Sequence, residues 1–250
     1  MTAPRPANPT SEPGRGHIPR ADEPLPTGED KTRSVQVMFD VIAPRYDLVN
    51  RLMTFRMDVG WRRRTVSALG LPPGSVVVDL ACGTGDLARE LDDRSLVPVG
   101  VDLSFGMLAA APRPVPRLQA DGSALPVRDA GADGATCGFA LRNFTDLDAT
   151  FAELARIIRP GGRVALLEVA TPPNPVLRAG HGLYFGQVVP RIGALLSDGD
   201  AYRYLPRSVA YLPEPDDLVA RLAAHGFDDV RRTLLSVGIA QLLTATRSST

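Results

Sequence analysis

Apolar residues first recur at helical spacing near the N-terminus. Residues 35–42 predict a short helix that Pro44 should end, because proline cannot continue the helical hydrogen bonds. Asp47 is of a residue type that caps helices, so a second helix is expected over residues 48–55. A third helix is expected over residues 61–69, which precede Gly70.

Short apolar runs then alternate with helical patterns. The predicted strands are Ser75–Leu80, Leu96–Val101, Arg117–Ala120, Gly134–Leu141 and Arg163–Val169. The predicted helices between them are Leu87–Leu91, Phe105–Ala110 and Leu147–Ile158. This alternation is typical of an α/β protein, in which helical crossovers join parallel strands and cover both faces of the sheet.

The C-terminal pattern is different. A helix is expected over Asp216–His225, followed by two strand-like runs, Asp229–Ser236 and Ile239–Thr246. These runs are too close in sequence for a helical crossover, so they should pair as an antiparallel hairpin. The whole pattern predicts a mostly parallel seven-stranded sheet with a C-terminal antiparallel hairpin.

The first 33 residues lack such patterning. Residues 1–30 contain seven prolines and few large apolar residues, so we expect 1–33 to be a disordered tail. Residues 34–250 should form a single domain. Within it, 34–70 would be an N-terminal helical cap and 171–212 an insertion that covers a pocket.

Composition narrows the function. The formal net charge is zero, which argues against nucleic acid as a partner. Two cysteines and three widely spaced histidines show no metal-ligand spacing, and no metal is expected. We find no apolar run long enough to span a membrane and no signal-peptide pattern, so the expected compartment is the reducing cytoplasm.

The segment Asp79–Asp86 carries the clearest chemical signal. A buried strand runs into Asp79, and the small residues that follow, among them Gly83 and Gly85, would let a ligand approach the backbone. The spacing is not that of a dinucleotide fingerprint, and no phosphate-binding lysine follows. Asp102 ends the next predicted strand, where a carboxylate can accept both hydroxyls of a ribose.

A third acidic position follows the third predicted strand. Asp121 and Gly122 could contact an adenine amino group through the carboxylate and the backbone. A glycine loop by itself is as often a plain turn. Acidic residues at the ends of three successive strands nevertheless favour a nucleoside site.

Four segments together resemble the menaquinone/ubiquinone biosynthesis C-methyltransferase family, whose members have the Rossmann-like class I methyltransferase fold. The resemblance extends from about Ser34 to the C-terminus. It is carried by Phe39-Asp40-x-Ile42-Ala43-x-x-Tyr46-Asp47-x-x-Asn50, Asp79-Leu80-Ala81-Cys82-Gly83-Thr84-Gly85-Asp86, Ala140-Leu141-Arg142-Asn143 and Tyr202-Arg203-Tyr204-Leu205-Pro206-x-Ser208.

The resemblance implies S-adenosylmethionine as cofactor and a prenylated quinol as substrate. The family's cofactor contacts fall on Thr84, Asp102, Asp121 and Gly122. Gly138 stands where many members have a serine, so it would bring no side chain to that contact. Glu168-Val169-Ala170-Thr171-Pro172 also departs from the common Glu-Phe-Ser-x-Pro.

Methylation of a ring carbon requires an electron-rich ring, which deprotonation of a quinol hydroxyl supplies. Arg142 could stabilise the resulting oxyanion and Asn143 could orient the hydroxyl or a water, although Arg142 could instead pair with a structural carboxylate. Tyr46 and Asp47 are further catalytic candidates in the cap, with packing and helix capping as the alternatives. Tyr202 and Tyr204 could line the acceptor pocket or pack the insertion.

Two segments leave interactions open. Residues 176–196 are apolar with scattered glycine and arginine, and could cover a prenyl chain, meet the inner face of the membrane, or simply pack on the core. The cluster Arg62-Arg63-Arg64 is interpreted as a solvated helix face, with anionic lipid as the less favoured alternative. Self-association is also left open.

The expected activity is conversion of demethylmenaquinol to menaquinol. The preference for a naphthoquinol over a benzoquinol rests on the resemblance and on the arginine-rich, lysine-poor composition, which is typical of a GC-rich genome. The first alternative is methylation of another small hydrophobic phenol, such as a ubiquinone precursor or a secondary metabolite. The second is a non-catalytic protein that retains a nucleoside pocket.

Overall fold

A computed structural model describes residues 18–19, 23–112, 115–189, 191, 204 and 207–249. Its strands are β1 Val76–Leu80, β2 Val97–Asp102, β3 Arg117–Gln119, β4 Ala132–Gly138, β5 Ile158–Val169, β6 Phe227–Leu235 and β7 Ala240–Arg247. Its helices are α1 Gly28–Ile42, α2 Tyr46–Met53, α3 Met57–Leu69, α4 Asp86–Asp92, α5 Phe105–Ala110, α6 Leu147–Ile157, α7 Pro175–Leu183 and α8 Pro215–Ala224.

The seven strands form one sheet in the order β3-β2-β1-β4-β5-β7-β6. The first five strands are parallel, whereas β7 pairs antiparallel with both β5 and β6. The mostly parallel sheet and its C-terminal hairpin are therefore confirmed. The order reverses between β1 and β4, and a crevice opens at such a switch point beyond the carboxyl ends of the strands.

Helices cover both faces of the sheet. Val78 and Leu166 belong to an apolar core that includes α6 and α8, whereas Val77 and Leu167 belong to a second core that includes α3 and α4. Adjacent residues of a strand point to opposite faces, so the apolar runs of β1 and β5 bury both sides. This explains the continuous apolar runs Val76–Val78 in β1 and Val164–Leu167 in β5.

The cap begins earlier than expected. Helix α1 starts at Gly28, so the prediction of a disordered tail is wrong for residues 28–33. Lys31 is buried there, and its Nζ donates to the Phe144 carbonyl at 2.7 Å. Leu25 packs against the apolar cluster formed by α1 and α2. The Lys31 bond reaches a residue 113 positions away, which local composition does not reveal.

The cap also ends differently. Helix α2 ends at Met53, not at Phe55, whose backbone is left-handed with φ 51°. Helix α3 ends at Leu69, and Gly70 caps it in the left-handed conformation, as the sequence predicts. Strand β4 ends at Gly138, before the predicted end at Leu141, and residues Leu141–Asn143 form a 3-10 turn. This turn lies at the carboxyl edge of the sheet.

The predicted insertion is described only in part. Helix α7 continues into a π-helical turn, Tyr184–Val188, and the end of the expected lid lies outside the described residues. Within the described ranges, no helix is both long and apolar enough to cross a bilayer.

Candidate functional site

Two adjoining cavities lie at the carboxyl edge of the sheet. The first, of about 300 Å³, is the sheet-edge cavity, and its floor includes Asp79, Gly83, Asp102, Asp121, Gly122 and Gly138. The second, of about 380 Å³, is the apolar cavity, and its walls include Met53, Phe55, Trp61, Leu177, Tyr184 and Val237. Tyr46 and Phe139 line both cavities and so form the wall between them.

The loop after β1 forms the floor of the sheet-edge cavity. Gly83 and Gly85 have φ of +55° and +84°, in the left-handed region that glycine adopts readily. A Cβ at Gly83 would lie 3.0 Å from the Met107 Cε atom. The Gly83 amide donates to Asp102 Oδ2 at 2.7 Å, so this carboxylate also holds the loop in place.

Asp102 lies at the end of β2, as predicted. Its Oδ1 atom accepts a hydrogen bond from the Ser104 amide at 2.8 Å. Burial raises the pKa of Asp102, while the amides of Ser104 and Gly83 oppose that shift. Each carboxylate oxygen can accept more than one hydrogen bond, so the two amides leave acceptor capacity for ligand hydroxyls.

Asp79 brings an unsatisfied oxygen to the same cavity. Its side chain is fully buried, and Oδ1 accepts from the Thr136 hydroxyl at 2.9 Å. Oδ2 has no hydrogen-bond partner within the described part of the chain. Burial raises the pKa of Asp79 to about 7. Because an unpaired buried carboxylate is costly, this site favours a ligand that carries a donor or a positive charge.

Gly122 and Gly138 keep the cavity open. A Cβ at Gly122 would lie 2.8 Å from Phe144 Cε1, and one at Gly138 would lie 2.9 Å from Leu87 Cδ1. Asp121 is exposed at the rim, where its Oδ1 accepts from the amide and the hydroxyl of Ser123. All eight predicted cofactor residues therefore lie in or beside this crevice, although Gly138 offers only backbone.

Asp47 does not cap α2. The helix begins at Tyr46, and the residue before it, Arg45, makes no side-chain capping bond. Asp47 Oδ1 instead accepts a hydrogen bond from the Thr84 hydroxyl at 2.6 Å. This bond ties the cap to the loop after β1, so Thr84 presents its hydroxyl to Asp47 rather than freely to the cavity.

Arg62 is buried, and its interpretation as part of a solvated face is wrong. It pairs with Asp58, four residues earlier on α3, and lies 3.0 Å from Asp86 Oδ2. Its guanidinium also lies 5.9 Å from the centre of the Phe139 ring. Arg62 and Asp86 both line the sheet-edge cavity. The acidic residue at helical spacing was the signal that could have identified Arg62.

Arg142 and Asn143 face different cavities. Arg142 lines the apolar cavity, whereas Asn143 lines the sheet-edge cavity, where its buried Oδ1 has no partner among the described residues. Successive side chains of a 3-10 turn point about 120° apart, which explains the divergence. The predicted role of Asn143 at the acceptor hydroxyl therefore does not fit its position.

Arg142 is held by a buried carboxylate that the sequence did not identify as part of the site. Its Nη1 donates to Glu168 Oε1 at 2.5 Å and to the Phe139 carbonyl at 2.6 Å. Its Nε donates to the Ser208 hydroxyl at 3.0 Å. The alternative pairing of Arg142 with a carboxylate is thus present, and the guanidinium nevertheless reaches the apolar cavity. The position of Glu168 at the end of β5 was the available signal.

The tyrosines that the sequence suggested for the site lie in different places. Tyr46 stands in the wall between the cavities, and its pKa is raised by burial, with Arg62 and Arg142 opposing the shift. Tyr204 is buried in the apolar cluster of α1 and α2 and lines neither cavity, so it packs the cap. Tyr202 lies outside the described residues.

Metal chemistry has no evident ligand set in the ranges described. Among those residues, no three histidine, cysteine, aspartate or glutamate side chains lie together in a way that could hold a metal ion.

Comparison with known proteins agrees with this geometry. The model of the ubiE/COQ5 methyltransferase family matches residues 27–247. A demethylmenaquinone methyltransferase of Thermus thermophilus is 43% identical over 82% of this chain and 97% of its own length. A ubiquinone/menaquinone biosynthesis C-methyltransferase of Syntrophotalea carbinolica is 41% identical over 84% of this chain and 93% of its own.

A solved structure supports the fold. An S-adenosylmethionine-dependent methyltransferase from Thermotoga maritima superposes with a TM-score of 0.61 at 17% identity, covering 85% of this chain and 99% of its own. The predicted Rossmann-like class I methyltransferase fold is confirmed.

Proposed function

Because the chain belongs to the ubiE/COQ5 methyltransferase family, we propose that it methylates a ring carbon of demethylmenaquinol to give menaquinol. The methyl donor is S-adenosylmethionine, and the chain is a C-methyltransferase. The observation that carries the proposal is the pair of cavities that meet at Tyr46 and Phe139. The polar cavity can hold a charged donor and the apolar cavity a hydrophobic acceptor. Because the two cavities adjoin, the two ligands can lie next to each other.

The sheet-edge cavity fits the donor. Asp102 would accept the ribose hydroxyls, and Asp121 with Gly122 would contact the adenine at the rim. The unpartnered Oδ2 of Asp79 would accept from the donor's amino group, and Arg62 would face its carboxylate. When bound, S-adenosylmethionine supplies an electrophilic methyl group on a positively charged sulfur. The described residues then have to align the two reactants, which can lower a barrier by up to ~7–11 kcal/mol.

The apolar cavity fits the quinol. Trp61, Phe139 and Tyr184 offer flat surfaces for an aromatic ring, and Arg142 is a fixed cation in a mostly apolar wall. A positive charge held in low dielectric stabilises an oxyanion more strongly than water does. Arg142 therefore favours the ionised quinol, whose charge makes the neighbouring ring carbon nucleophilic. Glu168 fixes the orientation of that guanidinium.

The choice of a naphthoquinol follows the name of the Thermus relative, whereas the Syntrophotalea relative is named for both quinones. A direct test is turnover of purified protein with labelled S-adenosylmethionine and either demethylmenaquinol or the corresponding benzoquinol, with analysis of the methylated product. Transfer to the naphthoquinol is expected. Transfer only to the benzoquinol, or only to an unrelated phenol, would contradict the substrate assignment, and cofactor binding without transfer to any of them would contradict catalysis.

The mouth of the apolar cavity also favours contact with an anionic bilayer. Phe55, Val176 and Val237 line this cavity and are 71%, 80% and 65% exposed. Between residues 170 and 191 the chain has no acidic residue, while it carries Arg178 and Arg191. Apolar side chains flanked by basic ones suit a surface of negatively charged lipids. The prenyl chain of the quinol would then remain in the bilayer while its ring enters the cavity.

Co-sedimentation with vesicles tests this contact. The protein should sediment with phosphatidylglycerol vesicles, sediment less with phosphatidylcholine vesicles, and be released by salt. Replacing Phe55 and Val176 by aspartate should abolish sedimentation, while Val97→Asp, a change at an exposed residue at the start of β2, should not. Equal sedimentation of both variants would contradict a contact at this mouth.

A further inference from the structure

The proposed reaction requires a proton acceptor for the quinol hydroxyl, and the apolar cavity contains one candidate histidine. His181 lies on α7 and lines this cavity together with Arg142. Its Nε2 atom is buried and has no hydrogen-bond partner among the described residues. An unpaired polar atom in an apolar wall is unfavourable unless a ligand satisfies it.

The other ionisable side chains of the cavity either pair with a neighbouring side chain or keep their protons. Asp58 pairs with Arg62 and accepts from the Thr54 hydroxyl at 2.7 Å. Arg142 is a permanent cation.

The two tyrosines of the cavity are also poor proton acceptors. The Tyr184 hydroxyl donates to the Met53 carbonyl at 2.9 Å. Burial raises the pKa of both Tyr46 and Tyr184, so both phenols stay protonated at neutral pH. Among the described ionisable side chains that line this cavity, only His181 can take up a proton near neutral pH.

We propose that His181 is the general base that accepts the proton of the quinol hydroxyl during methyl transfer. The inference rests on the proposed function. The Phe185 ring lies 4.3 Å from the imidazole, centre to centre, and restricts its orientation. Burial lowers the pKa of His181, so the imidazole is neutral at physiological pH and has a lone pair available.

The quinol hydroxyl gives its proton to His181, and the resulting oxyanion is stabilised by Arg142. The ring carbon beside that oxygen forms a bond to the methyl group as the carbon–sulfur bond breaks, and sulfur keeps the electron pair. The ring carbon then loses its hydrogen as a proton to solvent, while the oxygen recovers a proton from the imidazolium. One proton is released in each turnover.

The test compares His181→Gln with the wild type. Glutamine keeps a polar side chain of similar reach but cannot accept a proton, so turnover should fall about 10²–10⁴-fold. The dissociation constant for S-adenosylmethionine should stay within about twofold, since His181 lines only the apolar cavity. His225→Gln is the matched control, because His225 lines neither cavity and its Nδ1 is hydrogen-bonded to the Arg221 carbonyl.

The pH profile separates a base from a packing residue. In the wild type at saturating S-adenosylmethionine, where the titration of Asp79 no longer limits donor binding, kcat/KM for the quinol should rise with pH below 6.5 and then level off, because His181 must be neutral. In His181→Gln that rise should disappear, and the rate should instead increase toward alkaline pH as the quinol ionises unaided. A variant with normal turnover and an unchanged acid limb would overturn the proposal.

A measurement without turnover adds an independent readout. With three histidines in the chain, ¹⁵N-histidine NMR is simple to assign by means of His181→Gln. Binding of the product menaquinol should shift the His181 Nε2 resonance, and an unmoved resonance under saturating menaquinol would overturn the contact. If the wild type methylates no quinol, the proposed function fails. If it does so and His181→Gln does so equally well, only the role of His181 fails.

Discussion

Arg142 Nη1 lies 2.5 Å from Glu168 Oε1, and the Glu168 side chain is completely buried. The pair joins the turn after β4 to the end of β5, and Glu168 Oε2 also accepts from the Arg142 amide at 3.2 Å. A cation that is held in this way cannot rotate out of the apolar cavity. Its placement results from tertiary contacts that bring together residues 26 positions apart.

Glu168→Gln should therefore destabilise the fold. The change is nearly isosteric but leaves Arg142 as a buried cation without a carboxylate, and breaking such a pair costs about 3–5 kcal/mol. Urea denaturation of the variant measures the loss. The double variant Arg142→Met/Glu168→Met should recover much of it, because neither charge is then buried alone. A single variant as stable as the wild type would mean that solvent reaches the pair.

Arg142→Gln should separate binding from chemistry. We expect the affinity for S-adenosylmethionine to remain nearly unchanged, since Arg142 lies outside the sheet-edge cavity, while turnover falls about 10²–10³-fold through loss of oxyanion stabilisation. Calorimetric titration and single-turnover rates, taken below the melting temperature of the variant, provide the two values. Near-normal turnover would make Arg142 a structural residue.

Asp102→Ala should weaken donor binding. Each hydrogen bond to a charged acceptor contributes roughly 1.5–3 kcal/mol, so the dissociation constant should rise by at least about tenfold. The loop at Gly83 also loses an acceptor, which acts in the same direction. Asp92→Ala, which changes an exposed residue at the end of α4, is the control. An unchanged dissociation constant in folded Asp102→Ala would remove this carboxylate from the site.

Donor affinity should depend on the protonation of Asp79. In the free protein the pKa of Asp79 is about 7, and a cationic amino group at Oδ2 favours the ionised form. Affinity should thus decline as pH falls below 7, approaching about tenfold per pH unit. Asp79→Asn should bind more weakly at pH 8 and show a flat profile between pH 5.5 and 8. The same slope in the variant would assign the dependence to another group.

Lys31 should make stability depend on pH in the alkaline range. Burial lowers its pKa from 10.5 to about 8, so between these values the unfolded chain binds a proton that the folded chain has released. The free energy of unfolding should therefore gain a contribution that rises with pH across this window. The difference between wild type and Lys31→Met in urea denaturation isolates it from the tyrosines. Parallel curves for the two proteins would contradict a lowered pKa.

Local sequence patterns predict the sheet and the loop that forms the floor of the sheet-edge cavity. The apolar runs of β1 and β5 predict buried strands even when the neighbouring strands are unknown. The alternation of side chains along a strand depends only on residues that are adjacent in sequence. The loop around Gly83 and Gly85 can also be predicted locally, because the glycines are read directly from the sequence. Acidic residues at strand ends share one edge in any parallel sheet, so Asp79, Asp102 and Asp121 could be grouped without coordinates.

Which side chains face which cavity depends on tertiary contacts that local patterns do not contain. Asn143 and Arg142 are neighbours in sequence, yet the turn sends them to different cavities. Arg62 is buried because Asp86 arrives from another helix, and α1 extends back to Gly28 because Lys31 reaches the carbonyl of Phe144. Burial and charge pairing depend on partners that are remote in the chain, whereas helix and strand patterns depend on residues close by. The position of His181, the proposed proton acceptor, and the wall between the cavities both depend on such remote partners.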